Sequence, residues 1–101
     1  MDDPKTVYEE GGRFLSRAKA IAIDGDDVVV LLGKKRKESV RVARAELVDI
    51  VLVMQRDEDY SVYYPSFKMA DGSTKPVFRE GTSARKKMQA KCDAIKQALG
   101  L

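Results

Sequence analysis

Four adjacent cations, Lys34-Lys35-Arg36-Lys37, are the strongest chemical feature of the sequence. Arg41 and Arg44 extend them into a basic window in which Glu38 is the single acid. Neighbouring cations repel one another, and a connection between strands does not need them for stability. Their use would be to attract phosphate or carboxylate groups, whereas the opposing interpretation is a solvated loop that only aids solubility.

A second basic cluster, Arg85-Lys86-Lys87, comes at the start of a predicted helix. Exposed cations in the first turn oppose the helix dipole by roughly 0.3–1 kcal/mol each, so helix stability does not explain them. They would form an anion site with the unpaired N–H groups, or they would meet an acidic partner. The alternative is that Glu80 compensates their charge.

Aromatic residues are concentrated in one segment that also carries a strand pattern. Tyr60, Tyr63, Tyr64 and Phe67 are four of the seven aromatic residues. Tyr60 and Tyr63 are candidate anchors for a protein partner or for stacking on single-stranded nucleic acid. Ordinary core packing is the competing interpretation, and the sequence lacks the motif of RNA-binding sheets.

Several chemistries are excluded because the chain has no histidine and a single cysteine, Cys92. Histidine-dependent triads, His-ligated zinc and internal disulfides need residues that are missing. The acids at 24–27 and 57–59 do not follow the spacing of a calcium loop, and turn chemistry explains them. We therefore predict a protein that is not an enzyme and uses neither a cofactor nor a metal ion.

The 101 residues are 44% apolar and 35% charged, with a formal net charge of +3. We predict a polar, flexible lead-in over residues 1–12 and one domain over residues 13–101. No apolar run is longer than the five residues from Val28 to Leu32, which is too short to cross a membrane. The acidic first residues lack the features of a secretory signal, so we expect a cytoplasmic protein.

Short strand patterns separated by turns extend from Arg13 to Glu80. The tetrapeptide Asp24-Gly25-Asp26-Asp27 is a strong hairpin signal, and Val40 and Val42 alternate with polar neighbours. Pro65 lacks an N–H donor, which predicts an edge position or a bend for its strand. The predicted strands cover residues 14–23, 28–32, 39–44, 50–54, 60–67 and 74–80.

The C-terminal segment changes to a helical period, with apolar residues spaced by 4, 3 and 4 positions. Thr82 or Ser83 is the expected N-cap, and Gly100 suits the C-terminal end. The stripe consists of Met88, Cys92, Ile95 and Leu99, and we interpret Cys92 as a buried small hydrophobe.

The fold class predicted from these elements is mainly β, with six or seven antiparallel strands in a small open barrel or sandwich and one C-terminal helix. This order, with the Asp24–Asp27 hairpin, the segment from Ala45 to Ile50 and the closing helix, resembles the pleckstrin-homology-like superfamily, including its bacterial and GRAM-type members. The resemblance implies binding of phosphoinositides, peptides or proteins. The acidic first hairpin disfavours a specific phosphoinositide site.

The predicted function is a non-enzymatic interaction module that binds an acidic protein or peptide, or anionic lipid headgroups on a membrane surface. Its contacts would be Lys34, Lys35, Arg36, Lys37 and Arg41, with the 85–87 cluster, Tyr60 and Tyr63 as further candidates. Binding of nucleic acid through the same bases is one alternative. A homodimer formed through the strand that contains Pro65 is another.

Overall fold

The computed structural model describes residues 3–11, 18–56, 58–78 and 84–101. The chain is mainly β, with two antiparallel sheets of four and three strands and a C-terminal helix, as the sequence predicts. The chain is divided into two compact units, which comprise residues 1–46 and residues 47–101.

The first unit is a four-stranded sheet with the strands in sequence order. Its strands are β1 (Lys5–Glu10), β2 (Lys19–Asp24), β3 (Asp27–Leu32) and β4 (Lys37–Ala43). The continuous β-branched run at 28–30 is buried, which suits a central strand. Asp24 pairs with Asp27 across a two-residue turn in which Gly25 has φ 59°. The predicted Asp-Gly hairpin is confirmed.

Strand β1 lies within residues 1–12, where we expected a lead-in without a core element. It pairs with β2 at the edge of the sheet, so main-chain hydrogen bonds hold it without a run of apolar residues. Polar contacts add to this, because the Tyr8 hydroxyl donates to Glu10 at 2.6 Å and Lys19 lies 3.7 Å from Glu10. The prediction of a lead-in rested on the low apolar content of residues 1–12, but a low apolar content is also typical of an edge strand.

The second unit begins after one turn of 3₁₀ helix at Arg44–Glu46, where the sequence predicts a tight turn. Its sheet consists of β5 (Leu47–Arg56), β6 (Ser61–Met69) and β7 (Thr74–Pro76), in that order. Ile50 lies opposite Phe67 in the β5–β6 pair, and both side chains are buried.

Pro65 lies in β6, which is the middle strand of this sheet and not an edge strand. Its carbonyl accepts a hydrogen bond from Val77 N–H, just beyond the last paired residue of β7, Pro76. A residue in a strand directs its N–H and C=O to the same side. The N–H that proline lacks would therefore point toward the β7 side, beyond the last paired residue of β7, so its absence removes no hydrogen bond from the β6–β7 ladder. Since Val77, the residue that follows β7, bonds to Pro65, this side of β6 does not provide the free edge needed for pairing with a second copy.

Helix α1 (Arg85–Ala98) packs on β5 and β6. All four residues of the predicted stripe are buried. At its C-terminus Leu101 N–H donates to the carbonyl of Lys96 and Gly100 N–H to that of Gln97, with Gly100 at φ 73°. This is the Schellman arrangement, which a glycine favours.

The N-terminus of α1 differs from the prediction. The N-cap position belongs to Ala84, which has no side-chain group to accept a hydrogen bond from the first turn. Thr82 and Ser83, the expected caps, lie outside the described residues.

Candidate functional site

The β3–β4 turn carries the basic cluster that the sequence singles out. Gly33 to Arg36 form the turn, which Arg36 N–H closes by donating to the Gly33 carbonyl at 3.1 Å. Arg36 has a positive φ of 52° and turns its guanidinium toward β1. There it donates to Thr6 Oγ1 at 2.6 Å and lies 3.5 Å from Glu9 Oε1. Arg36 therefore ties the turn to β1, and part of its charge is already neutralised.

Lys34, Lys35 and Lys37, called the turn lysines below, are exposed. None of them forms an ion pair with another residue of the described ranges. Three cations thus lie in this turn or directly after it, and no ion pair with a described residue offsets their charge.

Arg41, which the sequence predicts to contact a partner, is surrounded by carboxylates of its own sheet and does not belong to a free basic surface. Its guanidinium donates to Asp24 at 2.8 Å, to Asp27 at 2.8 Å and to Glu38 at 2.7 Å. Hydrogen bonds to Glu38, Asp27 and Asp24 raise the pKa of Arg41 above its already high ordinary value. Arg41 clamps the β2–β3 hairpin, and these acids leave the cluster with a net negative charge.

In the second unit, the structure brings Arg85 and Tyr63 together. The guanidinium carbon lies 6.0 Å from the centre of the Tyr63 ring, at the outer limit of a cation–π contact. At 100° per residue, Lys86 lies beside this face of α1 and Lys87 on the opposite side. Tyr60 is 56% exposed and lies apart from this pair, since it does not line the groove between α1 and β5 to which Arg85 and Tyr63 contribute.

An open groove of about 530 Å³ runs between α1 and β5. The groove was not predicted from the sequence, although polar residues spaced by 4, 4 and 3 positions along α1 form its helical wall. The helix contributes Arg85, Gln89, Asp93 and Lys96, and the sheet contributes Asp49, Ile50, Val51, Leu52, Met54 and Tyr63.

Asp49 closes one end of this groove. Lys96 Nζ lies 3.1 Å from its carboxylate, and Ile50 N–H donates to the same oxygen at 2.8 Å. The hydrogen bond from Lys96, followed by that from Ile50, lowers the pKa of Asp49 below its ordinary value.

The lowered pKa makes the contribution of Asp49 to stability dependent on pH. The carboxylate stabilises the fold above the ordinary carboxyl pKa, and this stabilisation is lost as the pH falls through the lowered value. We expect Asp49→Asn to reduce the fall in unfolding midpoint between about pH 5 and pH 2. Circular dichroism melts across this range measure it. Asp59→Asn, which removes an exposed carboxylate, is the control, and equal slopes in both variants would contradict the assignment.

The described ranges contain no helix that is long and apolar enough to span a membrane. Within the same ranges, no three carboxylate or thiol groups are placed to hold a metal ion. Comparison of the chain with protein-family models, curated proteins and solved structures gives no match.

Proposed function

We propose that the protein is a non-enzymatic interaction module whose turn lysines bind an acidic segment of a partner protein. The observation that carries this proposal is a contrast within one basic window. Arg36 and Arg41 contact acids of their own sheet, whereas Lys34, Lys35 and Lys37 have no such partner among the described residues.

The exposed position of the turn lysines supports attraction over a distance. A group of like charges raises the local concentration of an oppositely charged partner and accelerates its association. Arg36 fixes the turn to β1, so the backbone that presents the lysines is held in place before a partner arrives. Pre-organisation of this kind reduces the entropy that is lost on binding.

A membrane surface is a weaker candidate for the same turn. Each base near an anionic leaflet contributes about 1 kcal/mol, so three lysines give a dissociation constant only in the millimolar range. The neighbours Gly33, Glu38 and Ser39 provide no large apolar side chain that would insert between lipids. Residues 33–40 also contain no aromatic ring on which a nucleic-acid base would stack.

The experiment compares the full chain with the triple variant Lys34→Ser, Lys35→Ser, Lys37→Ser. The probe is a fluorescently labelled polyglutamate peptide, followed by anisotropy at low ionic strength. We expect the variant to bind at least about tenfold more weakly, since three charge-assisted contacts are lost. Its thermal midpoint should stay near that of the wild type, because these side chains are exposed and form no ion pair with a described residue.

A matched control removes the same number of charges elsewhere, through Lys68→Ser, Lys75→Ser and Lys87→Ser, which are all exposed. Its peptide affinity should fall much less than that of the turn variant. Equal loss in both triple variants would show that net charge alone acts and would contradict the proposal. Tighter binding of phosphatidylserine vesicles or of a single-stranded oligonucleotide than of the peptide would contradict it as well.

A further inference from the structure

Strand β5 has no strand partner along its outer edge, because β6 is its only neighbour among the described strands. The Pro65 carbonyl bonds to Val77, so the main-chain groups of Pro65 point away from β5. Leu52 lies opposite Pro65 and therefore directs its own N–H and C=O away from β6. Met54 and Arg56 do the same, since the pattern repeats every second residue.

Beyond a bulge at Val48, this edge is regular from residue 49 to residue 56, whereas the edges of the first sheet are interrupted. Bulges place an extra residue at Val7 in β1 and at Ser39 in β4, and bulges discourage pairing with another chain. In β5 the Ile50 N–H is covered by the Asp49 carboxylate. Residues 52–56 have neither a bulge nor, among the described residues, a side chain that is hydrogen-bonded to the outward main-chain groups.

Helix α1 runs beside this edge in the direction opposite to β5. Near its end, Lys96 contacts Asp49. At its start, Arg85 lies over Tyr63, which pairs with Met54. The helix thus begins near the later part of β5 and ends near the earlier part.

The two elements match in length between these contacts. From residue 85 to residue 96 the helix rises about 16 Å, and residues 49–54 of the strand span about 16 Å. Gln89 is therefore level with Leu52. Arg85, Gln89 and Asp93 follow one another at four-residue spacing, so they lie on one face of the helix. That face lines the groove.

We infer that two copies of the chain associate through β5 and α1, about a two-fold axis that passes Leu52 and Gln89. Antiparallel pairing about Leu52 forms two main-chain hydrogen bonds between the two Leu52 residues. Each Met54 N–H donates to the Ile50 carbonyl of the other copy. Val51 and Val53, which are half-buried, then lie opposite each other across the new strand pair.

Charge complementarity identifies the occupant as a second copy. The same axis reverses the groove face of α1, so each Arg85 meets the partner's Asp93, while the two Gln89 side chains meet at the centre. This arrangement is isologous, as a two-fold interface requires. An extended peptide of another protein would use the same main-chain groups but would not supply a second helix to pair Arg85 with an acid and Asp93 with a cation.

The spacing of the elements agrees with this interface. Because α1 packs on both β5 and β6, its axis lies about 2–3 Å inside β5, given a strand spacing of about 4.8 Å. Symmetric pairing then places the two helices about 10 Å apart, which is an ordinary distance between packed helices.

The test is sedimentation equilibrium of the full chain from about 1 µM to about 500 µM, which covers weak and moderate dimers. We expect the mass to rise with concentration toward twice 11.3 kDa. Arg85→Glu places two carboxylates together at each end of the interface and should raise the dissociation constant at least about tenfold. Asp93→Arg should do the same with two cations.

The double variant Arg85→Glu, Asp93→Arg restores opposite charges and should bring the dissociation constant back to within about threefold of the wild type. Lys87→Glu changes the net charge as Arg85→Glu does, but on the other side of α1, and should leave dimerisation unchanged. A chain that is monomeric at every concentration overturns the inference. So does a folded Arg85→Glu variant that dimerises as well as Lys87→Glu.

Discussion

Replacing Ile95 with alanine is expected to lower the free energy of unfolding by about 2–5 kcal/mol, since a buried aliphatic side chain is lost and a cavity remains. Ile95 is fully buried at the centre of the α1 stripe, between Cys92 and Leu99. Helix α1 is the one helix that packs on the described part of the β5–β6 pair. A cavity at this position weakens the attachment of the whole helix.

Urea denaturation followed by circular dichroism measures this effect. Ile95→Val removes a single methylene and should lower the stability by only about 0.5–1.5 kcal/mol. Gln97→Ala, at an exposed position of the same helix, should change it by less than about 0.5 kcal/mol. A loss in Ile95→Ala no larger than that in Gln97→Ala would show that the stripe is not the contact that holds α1.

Elements whose signal is local could be predicted from the sequence. The 4, 3, 4 spacing from Met88 to Leu99 defines one face of a helix without knowledge of its surroundings. Gly25 and Gly100 occupy positive-φ positions that their neighbours in the sequence indicate.

Sheet order could not be predicted, because it depends on which strands meet. β1 has few apolar residues, and only its pairing with β2 identifies it as a strand. The position of Pro65 within the sheet depends on β7, a three-residue strand that forms no more than a short ladder. Proline favours an edge strand because it has no N–H to donate to a neighbouring strand. In the middle strand β6 the same condition is met, because the paired part of β7 ends before it reaches Pro65.

The candidate sites show the same division. The turn lysines are consecutive or nearly so along the chain, so the sequence alone reveals their cluster. Arg41 looked like a member of that cluster, but two of its carboxylate partners lie 14 and 17 residues away. The partner of a charged residue is a tertiary property, and it decides whether that residue is available for binding. The groove could not be predicted for the same reason, because its walls come from α1, β5 and β6, and the sequence does not show that these elements lie side by side.

Cys92 is expected to react with iodoacetamide at least about 100-fold more slowly in the folded protein than in the unfolded chain at pH 8. Burial, and to a smaller degree the Asp93 carboxylate, raises the pKa of the Cys92 thiol to about 11. Near pH 8 this reduces the reactive thiolate by about two powers of ten, and the buried position slows access further. The sequence assigned Cys92 to the apolar stripe, and its 1% exposure confirms that assignment.

Mass spectrometry of the alkylated protein measures the rate, with the urea-unfolded chain as the reference. Since Cys92 is the only cysteine, the signal reports on α1 alone. Ile95→Ala should accelerate labelling because it raises the population in which the helix has separated from the sheet. Ile95→Val should accelerate it less, and Gln97→Ala not at all. Rapid labelling of the wild type below the urea transition would contradict the burial of Cys92, since an exposed thiol would need no opening step before it reacts.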